Sequence, residues 1–424
     1  MKGNSMNKPK ADLLIDNAAE LITCVSTAND PLGRIPNGAV AVGDGRILAT
    51  GPRANLEQRL DLTGVKVLDA RGKIVAPGFV DCHTHLIFGK SRVKEYALKM
   101  TLSVPEIEAM GLKTGIPASI AMTRDTSEDD LFVSALDRLE RMLQYGTTTV
   151  ESKSGYGINW PDELKMLRVN QRLAQAQPMD VVSTFLGAHD FPPEINREDP
   201  NQRATYIREL TQKMIPRVAE KNLAAFCDIY CDVGYYTVKE SETVLKAGMD
   251  HGLAPRIHTD AYANIGGSSL AAALPAVSAD HLNYTSEKEM RHMAQSNVVG
   301  VVLPALDFAV AHPDPFDARP MLEAGMTLAL GTNLNPGNWT ESMQIVMQLA
   351  CRNHGMAPEE AMLAATTGAA QAIRCNHQIG CLAEGYMADI QIWDLPSFED
   401  VIYRIGNNAV WAVIKNGKIV VRNR

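Results

Sequence analysis

No apolar run in this chain approaches the roughly 20 residues that a membrane-crossing helix needs. No basic stretch stands out either, and the net charge is −8. Nucleic acid and anionic membrane are therefore not expected partners. The opening Met1-Lys2-Gly3-Asn4-Ser5 lacks the apolar core of a signal peptide. The 7 cysteines are scattered, and none form Cys-x-x-Cys. Cys227 and Cys231 are four apart, a helical spacing, but residues 226–230 read better as a strand. These thiols are expected to be reduced, mostly core residues of a cytoplasmic protein. What remains is a globular composition, 46% hydrophobic and 21% charged, over 424 residues. That is enough for one large domain or two ordinary ones. The 10 histidines are the informative count, because several fall at strand ends.

The chain is organised around Pro77-Gly78-Phe79-Val80-Asp81-Cys82-His83-Thr84-His85, which follows the apolar run Ile74-Val75-Ala76. A strand sends alternate side chains to one face, so His83 and His85 are expected to project together. Two imidazoles so placed can grip one divalent metal, usually Zn²⁺. Before this stretch the sequence predicts short strands at 13–15, 21–25, 39–42 and 46–49. The last two flank Gly43-Asp44-Gly45, a hairpin signal. The C-terminal end matches: a half-buried strand at 388–393, then strands at 410–414 and 418–421 around Asn416-Gly417. Both ends lack helical patterns, and neither is long enough for a good core alone. They are expected to pair into one small β-sandwich domain, 1–75 with 376–424.

Residues 76–375 alternate strands and helices. After the His83 strand come seven more candidates, at 147–151, 181–187, 225–231, 255–258, 277–280, 299–303 and 327–331. The clearest helix follows Ser127 as N-cap, carries an apolar stripe from Leu131 to Leu143 and closes at Gly146. Others are expected at 237–251 and 339–354. Eight strands with helical crossovers predict an α/β fold, a (β/α)8 TIM barrel. The alternative is an open doubly wound sheet. The barrel is preferred because polar residues fall just after most strands: His83 and His85, the Lys153–Gly157 loop, His189, His258, His281 and the segment from Thr332.

These motifs resemble the amidohydrolase superfamily and, within it, the imidazolonepropionase family. The resemblance covers nearly the whole chain. It is carried by the segment from Pro77 to Gly89, then Ser91-Arg92, Tyr145-Gly146-Thr147-Thr148-Thr149 and Lys153-Ser154-Gly155-Tyr156-Gly157. Glu163 to Arg168, Ser183 to His189 and Val277 to Leu282 extend it. It implies hydrolysis of a cyclic amide or amidine C–N bond in a small carboxylate-bearing heterocycle. The named reaction is opening of 4-imidazolone-5-propanoate to N-formimino-L-glutamate in histidine degradation. It also implies one divalent ion, Zn²⁺ or Fe, on His83, His85, His258 and the position of Asn333. His281 would polarise the scissile carbonyl or position the water. Arg92, Tyr156 and His189 would hold the substrate, with Arg92 on its carboxylate.

Two positions depart from the family. Asn333 stands where it has an Asp that ligates metal and takes a proton from water. An amide can lend its oxygen weakly but cannot act as a general base. Ala261 stands where a carboxylate usually follows three residues after the strand-five histidine. The family's Gly-rich substrate loop also differs, reading Lys113-Thr114-Gly115-Ile116-Pro117-Ala118-Ser119. Three accounts stand open: a divergent hydrolase with another base, such as His281 or Asp260; a non-catalytic binder; or an engineered change at Asn333, which leaves Ala261 unexplained. A deaminase or hydrolase of another heterocycle is the enzymatic alternative. The Met- and Ala-rich stretch 341–351 could pack a homodimer.

Overall fold

The computed structural model describes residues 8–423. The opening stretch discussed above for its lack of a leader core lies outside them. Eight parallel strands form one sheet in strict sequence order. They are Phe79–Asp81, Thr147–Lys153, Asp180–Ala188, Phe226–Cys231, Ala254–Thr259, Ser278–His281, Val299–Val302 and Leu328–Leu330. The sheet closes past its strand ends. Asn333 N donates to His83 O (3.0 Å) and His85 N to Leu334 O (2.9 Å). Below these bonds, the Asp81 carboxylate accepts from Thr332 N (3.0 Å) and Thr332 Oγ1 (2.6 Å). This is the barrel expected from the alternating pattern.

The helix after Ser127 runs Glu128–Gln144, and Ser127 Oγ accepts from Asp130 N. It buries Leu131, Ala135, Leu139, Met142 and Leu143, the stripe read from spacing. The helix expected over 339–354 starts later, at Met343, where Ser342 caps it. It turns Met343, Val346, Met347 and Ala350 into the protein, so those side chains are not available to a second copy.

Both termini build the two remaining sheets. Four strands, Arg46–Pro52, Gly38–Gly43, Leu13–Asp16 and Lys66–Asp69, form one. Lys418–Arg422, Val410–Lys415, Ile390–Trp393, Ile74–Pro77, Glu20–Ile22 and Arg34–Pro36 form the other. Leu13, Ile15, Val40 and Val42 pack against Val75, Ile390, Ile392, Ala412 and Ile414, giving a sandwich core. Both hairpin signals hold. Asp44 and Gly45 have φ 49° and 74°, Asn416 and Gly417 49° and 76°. Two left-handed residues in succession match the right-handed twist of the strands they join.

Four expectations change. The ends are not helix-free: Arg53–Arg59 and Glu399–Tyr403 are helical. The run Ile74–Pro77 is no part of the barrel but pairs antiparallel with Ile390–Trp393. The latter strand is buried throughout rather than half-buried, and its polar Gln391 is satisfied by Pro77 O (2.8 Å) and Trp393 Nε1 (2.7 Å). The residues at 113–119 are not a free loop either. A helix, Gly115–Arg124, starts there.

Candidate metal centre

Barrel strand one ends at Asp81, so His83 and His85 stand beyond it rather than on it. Their shared direction comes from the extended backbone that pairs with 333–334. His83 lies deeper, its ring 4.7 Å from that of His258 and 5.6 Å from that of His281. His85 stacks on His189 at 4.7 Å with planes 12° apart. Two all-histidine groups have ligand atoms within 4.8 Å of one another, His83, His258 and His281, and His85, His189 and His258, and a third joins His258 to Asp228 and Asp280. The trio expected to bind metal is thus divided between the first two, with His258 in both.

The arrangement fits a cation. The Nε2 atoms of His83 and His258, the Nδ1 atoms of His85 and His281, and Asn333 Oδ1 are all buried without a hydrogen-bond partner. Lone pairs so desolvated are costly unless something positive or protic meets them. On His83 and His258 the opposite nitrogens are fixed. His83 Nδ1 lies 2.7 Å from Asp280 Oδ2, and His258 Nδ1 3.1 Å from Asp228 Oδ1. A carboxylate on one ring nitrogen sets the tautomer that offers the other as a ligand. Burial, then the nearby Lys153 charge, holds His83 well below the usual imidazole range. Burial, with the neighbouring His189 and His83, does the same to His85. Burial lowers His189 and His281 to about 3. These rings are neutral near pH 7 and free to donate a lone pair.

Beneath the histidines lies a cluster that motif reading left without a role. Lys153 Nζ is 2.9 Å from both Glu151 and Asp228, and Arg256 Nη2 is 3.0 Å from Asp280, all fully enclosed. Burial opposes charge on Lys153, yet Asp228, Glu151 and Asp280 hold it above its ordinary value. Burial likewise opposes charge on Asp280, but Arg256, Lys153 and His83 keep it well below the carboxylate range. The available signal was alternation: 151 and 153, 228 and 230, 256 and 258, 278 and 280 are polar positions two apart in buried strands.

The cavity above has a volume of about 590 Å³, and its walls include Arg92, Tyr156, His189, Tyr230, His281 and Asn333. Tyr156 rides on a loop that Glu163 ties down, accepting from Gly155, Gly157 and Ile158 N at 2.8–3.1 Å. Gly155 has φ 109°, and a Cβ there would meet Leu186 O at 2.8 Å. His189 Nδ1 bonds Gly155 O at 3.1 Å, which joins the two expected substrate residues. Arg92 is not free: Nη1 pairs with Glu95 at 3.1 Å, and Glu95 also accepts from Gly115 N. Its Nε is buried and unpartnered.

The proposed alternative base is displaced. Asp260 has φ 54°, and its carboxylate accepts from Thr259 Oγ1 (2.9 Å) and Thr285 Oγ1 (2.7 Å), away from the histidines. His281 stays in the site, held by two successive left-handed residues, His281 (φ 85°) and Leu282 (φ 67°). Such strain is typical where a side chain must be aimed.

The pattern of the amidohydrolase family matches residues 66–114 and 272–420. An imidazolonepropionase of Geobacillus kaustophilus is 40% identical over 97% of this chain and 98% of its own. One from Geobacillus thermodenitrificans is 42% identical over 96% and 98%. The chain belongs to the imidazolonepropionase family. Among solved structures, an adenosine deaminase from Xanthomonas campestris with bound zinc superposes with a TM-score of 0.71. It is 19% identical, over 97% of this chain and 93% of that one. A zinc-complexed atrazine chlorohydrolase from Arthrobacter aurescens gives 0.71 at 16%, over 97% and 95%. At such identities these two show the shared fold alone.

Proposed function

We propose that this chain hydrolyses the ring amide of 4-imidazolone-5-propanoate, giving N-formimino-L-glutamate, the histidine-degradation step named by its relatives. One observation carries the reading. Unpartnered ring nitrogens of His83, His85 and His258 fall in two histidine groups that share His258, and His85, His258 and Asn333, whose Oδ1 is also unpartnered, line a cavity that also holds Arg92. We assign His83, His85 and His258 as ligands of one ion, Zn²⁺ or Fe, with Asn333 a weak contributor. Bound there, a divalent ion supplies the Lewis acidity that makes a water nucleophilic near neutral pH.

The chain's own residues do the rest. Arg92 holds the substrate carboxylate, and Tyr156 with His189 holds the ring. Asn333 has no useful basicity and Asp260 points away, so His281 is the remaining base. Its neutral ring takes a proton from the attacking water and returns it to the ring nitrogen as the C–N bond breaks. The division expected at 75 and 375 is proposed with its first boundary moved past Pro77, whose strand belongs to the supporting domain, and the residues from there to 375 form the catalytic barrel. All seven cysteines are free, which suits a reducing cytoplasm. The reading leaves the subunit count, one or a homodimer, to sizing in solution.

Elemental analysis of protein purified without chelator should return about one zinc or iron per chain, the count for a single three-histidine site. Metal-loaded protein should consume the imidazolone. A folded, metal-replete protein that leaves this ring intact would overturn the reading and send the search to other heterocyclic acids.

A further inference from the structure

Four tyrosines are buried among the described residues: Tyr156, Tyr206, Tyr230 and Tyr236. Two bond their hydroxyls to the protein, Tyr206 to Gly187 O (2.8 Å) and Tyr236 to Asp190 O (2.9 Å). Tyr156 and Tyr230 do not, and both line the cavity above the histidines. Their hydroxyls are open to that cavity, where a phenol can donate to a bound molecule. Tyr156 already has a place on the substrate. Tyr230 has none.

Its position follows from strand alternation. Asp228 faces inward and orients His258, so Tyr230, two residues on, faces the same way and one layer nearer the mouth. It pairs in register with His258 on the neighbouring strand. Its ring centre is 5.9 Å from that of His258, and 6.2 Å from that of His281 with planes 15° apart. Tyr235 stacks behind it at 4.0 Å, which fixes the ring. The phenol therefore shares a wall with the base.

Water attack on a ring carbonyl places negative charge on the carbonyl oxygen, and catalysis needs a hydrogen-bond donor there. With His281 assigned to the proton, the Tyr230 hydroxyl on the same cavity wall is placed for that donor position. We propose that the Tyr230 hydroxyl donates to the ring carbonyl oxygen as it becomes an oxyanion, a catalytic contact that rests on the ring-opening reading above. The water oxygen bonds the carbonyl carbon while the π pair moves to oxygen and the water's proton passes to His281. The carbonyl then re-forms, the C–N pair goes to the ring nitrogen, and that nitrogen takes the proton from His281. The Tyr230 O–H bond stays intact throughout.

Tyr230→Phe removes only an oxygen that the protein does not bond. Loss of one oxyanion donor predicts a fall in kcat of about 10²-fold, with KM raised by no more than about tenfold. Metal content and melting temperature should match the parent. Hydantoin-5-propanoate, a stable ring-carbonyl acid, should bind the variant about tenfold more weakly by calorimetry, the effect of one lost hydrogen bond. Unchanged kcat and unchanged affinity overturn the proposal. So does a loss of activity that tracks lost metal or lowered stability, which would make the hydroxyl structural. Should the parent fail to open the imidazolone yet bind the hydantoin in a Tyr230-dependent way, the ring-opening reading fails and the contact stands. A parent that neither turns over the one nor binds the other sinks both.

Discussion

Lys153 Nζ sits 2.9 Å from Asp228 Oδ2, and the other oxygen of Asp228 holds His258 at 3.1 Å, with all three side chains sealed from solvent. One lysine thus anchors a carboxylate that aims a candidate ligand. Removing one partner of a buried ion pair leaves an uncompensated charge, at a cost of about 3–5 kcal/mol. Lys153→Met should therefore destabilise the protein by that order in denaturant unfolding. It should also lower metal retention after dialysis. A variant as stable as the parent would mean the cluster relaxes by proton uptake instead.

Asn333→Asp restores an anionic oxygen at the position whose Oδ1 is now unpartnered. General base catalysis is worth about 10²–10⁴-fold, so kcat should rise, at the low end if His281 already serves. Metal should survive competition with a chelator for longer. No gain in either, measured by turnover and by zinc release, would show that the amide is not at the ion.

Gly337 lies against Arg92: a Cβ there would stand 2.0 Å from Arg92 Nη2. Gly337→Ala must push the guanidinium aside while leaving the histidines untouched. KM for an acidic substrate should rise roughly tenfold or more, about the value of one charged hydrogen bond, with kcat little changed. A kcat effect without a KM effect would remove Arg92 from substrate binding.

Burial lowers His189 and His281 to about 3 from an ordinary 6.5. The unfolded chain therefore binds more protons than the native one between those values, and stability falls with falling pH across that window. Metal-free protein should lose unfolding free energy steadily from about pH 6.5 toward pH 3. His281→Gln should flatten part of that slope. A slope unchanged in this variant would place its ring in solvent.

Much of the fold was legible because local chemistry decided it. Ser127 and Thr237 capped helices where their side chains meet the third backbone N–H. Asp44-Gly45 and Asn416-Gly417 turned hairpins because few residues tolerate the left-handed pair. Alternating strand and helical stretches placed all eight barrel strands. They missed that Ile74–Pro77 belongs to another sheet, since a buried strand looks alike in either.

Local sequence patterning set which residues stand at or just past the strand ends, and so brought His83, His85, His189, His258 and His281 to one mouth. Alternation extends only as far as the strand does. Asp228 lies within a strand and reaches His258, while Asp260, past the end of its strand, is turned by a φ of 54° toward Thr285. Only the tertiary structure decided which carboxylate serves the site. Likewise His83 finds Asp280 197 residues away, because a buried charge is tolerated only where separate strands bring its partners together.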